Sequence, residues 1–217
     1  MRPRAERLHA CRLYLVTPAR PRAGPLEAFL PRVLEAGVDI VQLREKDMEA
    51  GSLLPFCEIV RQRTHEFGAL FIVNDRVDVA IAAGADGVHL GQDDLPYIYA
   101  RPQMGPERIV GRSTHSPDQL DEALASGADY AAVGPIYATP TKPGRPAAGV
   151  ELVEYAATRR PTPVFAIGGI NERNIGEVVE AGARRVCVVR ALTESDDPAE
   201  AARRLRRTLE ASGPLDV

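Results

Sequence analysis

The chain has no surplus of positive charge, no long apolar run and few cysteines, and each shortage removes a class of protein. With 27 Lys and Arg against 30 Asp and Glu in 217 residues, the formal net charge is −3. No global basic field exists to hold nucleic acid. The apolar stretches are short and repeatedly broken by Gly, Pro or charge, whereas a membrane span needs about 20 apolar residues in succession. A soluble protein with no membrane partner is expected. Cys11, Cys57 and Cys187 are odd in number, far apart and set in apolar runs, which fits buried thiols in a reducing cytosol better than a disulfide framework. The basic start, MRPRAERLHACRLYLVTP, moves straight into a strand-like run without a small-residue cleavage site. No secretory signal is read, and a cytoplasmic location is expected. No linker, low-complexity tract or charge block divides the chain. Its length suits one domain over residues 1–217.

What is present is a recurring phrase. A helix-like stretch ends in Gly, a small or charged pair follows, and a β-rich apolar run begins: EAGVDIVQL (35–43), AAGADGVHL (82–90), ASGADYAAV (125–133) and EAGARRVCV (180–188). Glycine just past the last helical turn closes a helix in the left-handed conformation, and the Val/Ile-rich run reads as a strand buried on both faces. The glycines, Gly37, Gly84, Gly127 and Gly182, stand 47, 43 and 55 residues apart. That spacing holds two βα units, so one unmarked strand is expected between each pair. The runs ALFIVND (69–75), RIVGRS (108–113) and PVFAIGG (163–169) supply them, with RLYLVT (12–17) ahead of the first. Eight strands at about 27 residues per unit predict a (β/α)8 barrel. Amphipathic segments lie between the runs, at 25–37, 117–127 and 171–182, the last opening on Asn171 as a helix cap. An open doubly wound sheet is the rival, because element order alone does not establish closure.

In such a barrel, chemistry sits at the C-terminal strand ends. Those ends are unusually polar: Gln42-Leu43-Arg44-Glu45-Lys46, Asn74-Asp75-Arg76, His89 to Asp94, Arg112 to Ser116, Gly134-Pro135 before a loop with Thr139, Thr141 and Lys142, Gly168-Gly169-Ile170, and Val189-Arg190-Ala191. The set suits a small ligand with several phosphate charges and a divalent ion. Asp75 and Asp94 could share Mg2+, which takes one or two protein carboxylates and fills its other positions with water and phosphate oxygens. Arg44, Lys46 and Lys142 would meet the remaining phosphate charge, and glycines at the last strand ends leave backbone N–H groups for a phosphate. His89, inside an apolar strand, and His115, at a helix start, are read as structural. His9 and His65 are read as solvent-facing, and Cys187 as core.

The ordered set VQLREK (41–46), VNDR (73–76), GVHLGQDDL (87–95), STHS (113–116), VGPIYATPTK (133–142), AIGGI (166–170) and VVRA (188–191) resembles the thiamine phosphate synthase family over roughly residues 12 to 195. The resemblance implies a (β/α)8 barrel transferase of thiamine biosynthesis. It joins 4-amino-5-hydroxymethyl-2-methylpyrimidine diphosphate to 4-methyl-5-(2-phosphoethyl)thiazole and releases pyrophosphate. It further implies that Gln42, Arg44, Lys46 and Asn74 bind the pyrimidine diphosphate, with Glu45 orienting its basic neighbours. Asp75 and Asp94 would hold Mg2+, Ser113 would lie near the reacting end, and Lys142 would bind the leaving diphosphate. Thr139, Thr141, Gly168 or Gly169, Val189 and Arg190 fall where the family holds the thiazole phosphate. Arg190 departs from the serine commoner at its position. Two rivals remain, a thiazole tautomerase on the same barrel and a non-catalytic binder of phosphorylated ligands. Homo-oligomer formation is left open.

Overall fold

Each strand-like run expected from the sequence forms a parallel strand, and the eight close on themselves. The computed structural model describes residues 3–139, 146–159 and 162–215. Its strands are β1 (Leu13–Thr17), β2 (Ile40–Leu43), β3 (Leu70–Asn74), β4 (Gly87–Leu90), β5 (Ile109–Thr114), β6 (Tyr130–Val133), β7 (Val164–Ile167) and β8 (Val186–Val188). Each pairs with its neighbours in sequence, and β1 also pairs with β8. Closure rules out the open sheet. The described helices are α1 (Arg4–Ala10), α2 (Leu26–Glu35), α3 (Ala50–Phe67), α4 (Val77–Ala82), α5 (Tyr97–Met104), α6 (Pro117–Ala125), α7 (Glu151–Ala157), α8 (Ile175–Glu180), α9 (Arg190–Thr193) and α10 (Pro198–Ala211). The four recurring glycines all take the left-handed conformation, with φ from +63° at Gly84 to +105° at Gly37. Their shared role is to turn each helix back toward the next strand.

Two local expectations are corrected. The N-terminal segment does not run straight into β1; Arg4–Ala10, made of good helix formers, is helical, and its Leu8 joins the apolar cluster inside the barrel. The helix after β7 begins at Ile175, not at Asn171. Asn171 instead opens a turn, its Oδ1 accepting from the Arg173 N–H at 2.9 Å.

Alternation along each strand sorts side chains between two cores. Leu13 and Leu15 face the helices, together with Val41, Phe71, Val88, Val110 and Val133. Tyr14 and Val16 face inward, with Ile40, Leu70, Ile72, Ile109, Tyr130, Phe165 and Cys187. Tyr14, Tyr130 and Phe165 fill the interior edge to face, with ring centroids 5.4 to 5.8 Å apart. Tyr130 lies across Gly111, its register partner on β5, where any Cβ would run into the ring. Gly111→Ala should therefore destabilise the fold by about 3 kcal/mol through overpacking, a fall in Tm of about 9 °C for a chain of this size. A fall below about 2 °C in a thermal melt would mean that the ring moves aside freely.

Candidate active site

Carried two residues further along the strands, the inward parity changes from apolar to polar. Gln42, Asn74, His89 and Ser113 are 3%, 6%, 7% and 6% exposed, and all four line a cavity of about 360 Å³ at the C-terminal mouth of the barrel. The loops beyond add Arg44, Lys46, Asp75, Asp94, Thr139, Gly168, Gly169, Val189 and Arg190. Of the residues singled out from the sequence, Glu45 does not join them. Its Oε1 accepts from the Ala19 N–H at 2.6 Å. Glu45 thus fastens the loop after β1, away from the cavity lining that the expectation of substrate binding would place it in. Thr141 and Lys142 lie outside the described residues.

Asp75 and Asp94 meet side chain to side chain in a hydrogen bond, and Lys46 Nζ lies 3.2 Å from Asp75 Oδ2. Asp75 has φ +62°, the one non-glycine in the left-handed region among the described residues; such backbone strain gathers at functional sites. Burial, then the hydrogen bond and repulsion from Asp94, push the Asp75 carboxyl up to about 6. Burial acts to raise Asp94 too, but hydrogen bonds from Asp75 and the Gly91 N–H, with the charge of Lys46, hold it below its ordinary value. The Gly91 N–H donates to Asp94 Oδ2 at 2.6 Å. Two half-buried carboxyls pressed together hold one proton between them until the pH passes about 6, and above that their two negative charges crowd each other unless a cation is present. Hard oxygen donors of this kind fit Mg2+.

Asn74 carries a second unmet need. Its Nδ2 is buried without a hydrogen-bond partner among the described residues, a cost of about 1–3 kcal/mol that a bound acceptor would remove. Across the mouth, Gly168 and Gly169 have φ of +107° and +68°, and a Cβ on Gly168 would run into Pro135. Asn171 and Asn174 both donate from Nδ2 to the Gly169 carbonyl, at 3.2 and 3.0 Å. That pair holds the glycine turn in place. The Arg190 guanidinium lies 3.9 Å from Glu194 Oε2, with its side chain 46% exposed.

Sequence reasoning missed several lining residues, among them Tyr14, His89, His115 and Asn171. His89 is more than a packing residue. Its Nε2 lies 2.9 Å from Ser113 Oγ and its Nδ1 2.9 Å from the Tyr130 hydroxyl. His115 bonds through Nδ1 to the Gly134 carbonyl. His65 is exposed as expected, but His9 is half-buried, and burial with the nearby Arg185 lowers its pKa. All three cysteines are buried, and none forms a disulfide. The signal for His89 was its parity with Gly87, two residues back on a strand that faces inward.

The family model for thiamine monophosphate synthase matches residues 13–192. The chain belongs to that family. A thiamine-phosphate synthase of Mycobacterium bovis is 50% identical over 217 residues, covering 95% of this chain and 98% of the relative. One from Synechocystis is 48% identical over 96% of this chain; the chain spans 60% of that relative's length. A solved thiamine phosphate pyrophosphorylase from Pyrococcus furiosus superposes with a TM-score of 0.85 at 34% identity, covering 94% of this chain and 98% of its own.

The shared proton gives the site a signature in stability. Asp75 is raised from 3.8 to about 6, so its contribution to folding is present at low pH and lost as pH rises through about 6. In chelated, metal-free buffer Asp75→Asn should raise Tm by about 3 °C at pH 8 and leave it within about 1 °C of the parent at pH 4.5. A variant less stable than the parent at pH 8 would contradict the crowding of the two carboxylates.

Proposed function

We propose that this chain is a thiamine-phosphate synthase, a transferase that joins the pyrimidine diphosphate to the thiazole phosphate with release of pyrophosphate. The observation that supports this reading most is the carboxyl pair, Asp75 with Asp94, beside Lys46 in one cavity. A binder of a singly phosphorylated ligand has no use for crowded carboxylates, and neither has an isomerase that handles no diphosphate. Asp75 and Asp94 would hold Mg2+, which would supply positive charge to the leaving diphosphate.

The remaining work falls to the chain's own groups. Gln42 and the unpartnered Asn74 amide would hold the pyrimidine diphosphate, with Ser113 near the reacting end. Arg44, Lys46 and Lys142 would face its phosphate oxygens. As the carbon–oxygen bond to the diphosphate breaks, negative charge grows on those oxygens, and fixed cations stabilise that state more than the ground state. The thiazole nitrogen then captures the electron-poor pyrimidine carbon, so no protein nucleophile is required. Thr139, Thr141, the Gly168-Gly169 turn and the backbone at Val189 and Arg190 would receive the thiazole phosphate. The substrates are small molecules, and among the described residues no helix is long and apolar enough to cross a membrane. The buried thiols, none in a disulfide, support a cytoplasmic setting.

The test is direct. Both substrates with Mg2+ should yield thiamine phosphate and pyrophosphate, and Asp94→Asn should lower turnover at least about 100-fold while the fold survives. Activity within about threefold of the parent would remove Asp94 from the metal site. Because Arg190 leans toward Glu194, Arg190→Ser should change the KM for thiazole phosphate by less than about tenfold, or about 1.4 kcal/mol. A 100-fold loss confined to that substrate would make Arg190 a direct phosphate clamp.

A further inference from the structure

A continuous run of buried hydrogen bonds crosses the barrel beneath the cavity. Gln42 Nε2 donates to the Tyr14 hydroxyl at 2.6 Å, and the Tyr14 and Tyr130 hydroxyls are 2.8 Å apart. Tyr130 meets His89 Nδ1 at 2.9 Å, and His89 Nε2 meets Ser113 Oγ at 2.9 Å. Both phenols are fully buried, and burial raises both far above their ordinary range. Each therefore keeps its hydrogen and has one to give.

For a neutral His89, counting hydrogens gives the run one direction in which every hydroxyl hydrogen but the last finds an acceptor. An amide nitrogen only donates, so Tyr14 accepts from Gln42 and gives its own hydrogen to Tyr130. Tyr130 then gives its hydrogen to His89 Nδ1. A neutral imidazole that accepts at Nδ1 carries its proton on Nε2, and that N–H donates to Ser113 Oγ. The serine hydrogen is left over at the end of the run, with no acceptor among the described residues, on a side chain that lines the cavity. Reversal of the run would turn Ser113 into a donor to His89 and leave the cavity only a lone pair.

We propose that His89 is a positioning residue, held by Tyr130 as the Nε2–H tautomer so that Ser113 presents its hydroxyl hydrogen to an acceptor on the diphosphate-bearing substrate. The inference rests on the synthase reading for that substrate, while the tautomer itself does not. The ring stacks on Tyr130 with centroids 5.5 Å apart and planes at 24°, so it has little freedom to turn. Gly111 makes the arrangement possible by leaving room for the Tyr130 ring.

Nitrogen-15 NMR of the histidine-labelled protein reads the tautomer without any assay of activity. Comparison with His89→Gln assigns the His89 signals. The expected result is a protonated Nε2 and an unprotonated Nδ1 in the parent, and a mixture of tautomers in Tyr130→Phe; an Nδ1–H ring in the parent overturns the proposal. Kinetics supply the second arm. His89→Gln keeps an amide donor near the Nε2 position, so kcat should stay within about tenfold of the parent. His89→Asn is too short to reach Ser113, so kcat should fall about 100-fold with KM within about threefold, as for Ser113→Ala. Equal losses in the Gln and Asn variants, or a loss in KM alone, overturn the positioning role. A parent that makes no thiamine phosphate at all would instead overturn the synthase reading, with the NMR result standing on its own. Tyr130→Phe, which removes one oxygen from a retained ring, keeps the test available if an imidazole replacement fails to fold.

Discussion

Everything at the mouth of this barrel depends on strand parity under closure. With β1 hydrogen-bonded to β8, each strand has one face toward the helices and one toward an interior packed with side chains. A side chain an even number of residues from Ile40, Ile72 or Ile109 along its strand shares that interior. This is why Gln42, Asn74 and Ser113 reach one cavity from three strands, and why Arg112 and Thr114, their chain neighbours, do not line it. The price of the arrangement is that buried polar groups need partners, and the interior supplies them as one connected run rather than as isolated pairs.

The architecture was legible because its signals are periodic. Four glycine-closed helix ends at two-unit spacing required four further strands, and the apolar runs between them were long enough to be those strands. Asp75 and Asp94 stood out for a different reason, since a carboxylate directly after β3 and another four residues past β4 are local features of the sequence. His89 was not legible as a site residue. Flanked by Val88 and Leu90, it reads as packing, and only the register that sets His89 beside Gly111, with Ser113 two residues beyond on β5, reveals what it touches. The misplaced helix start at Asn171 has the same origin. An asparagine before a helix reads as a cap, but here Asn171 and Asn174 spend their amides on the Gly169 carbonyl. Glu45 was grouped with Arg44 and Lys46 by adjacency, whereas its own carboxylate is committed to Ala19.

The electrostatic design pairs opposites across a short distance. Crowded carboxylates on the ends of β3 and β4 face basic residues from β2, and Lys46 already leans on Asp75. Left without a cation, such a pair repels a polyanion above about pH 6; on the proposed reading a divalent cation held there would reverse that and attract a diphosphate. The central claim is therefore that these carboxylates act through a divalent ion on a diphosphate. Calorimetric titration of inorganic pyrophosphate at pH 8, with and without Mg2+, tests it most directly. The account predicts binding at least about tenfold tighter with Mg2+, a gain that Asp75→Asn abolishes. Equal affinity in the two buffers, or a gain that survives Asp75→Asn, would contradict it.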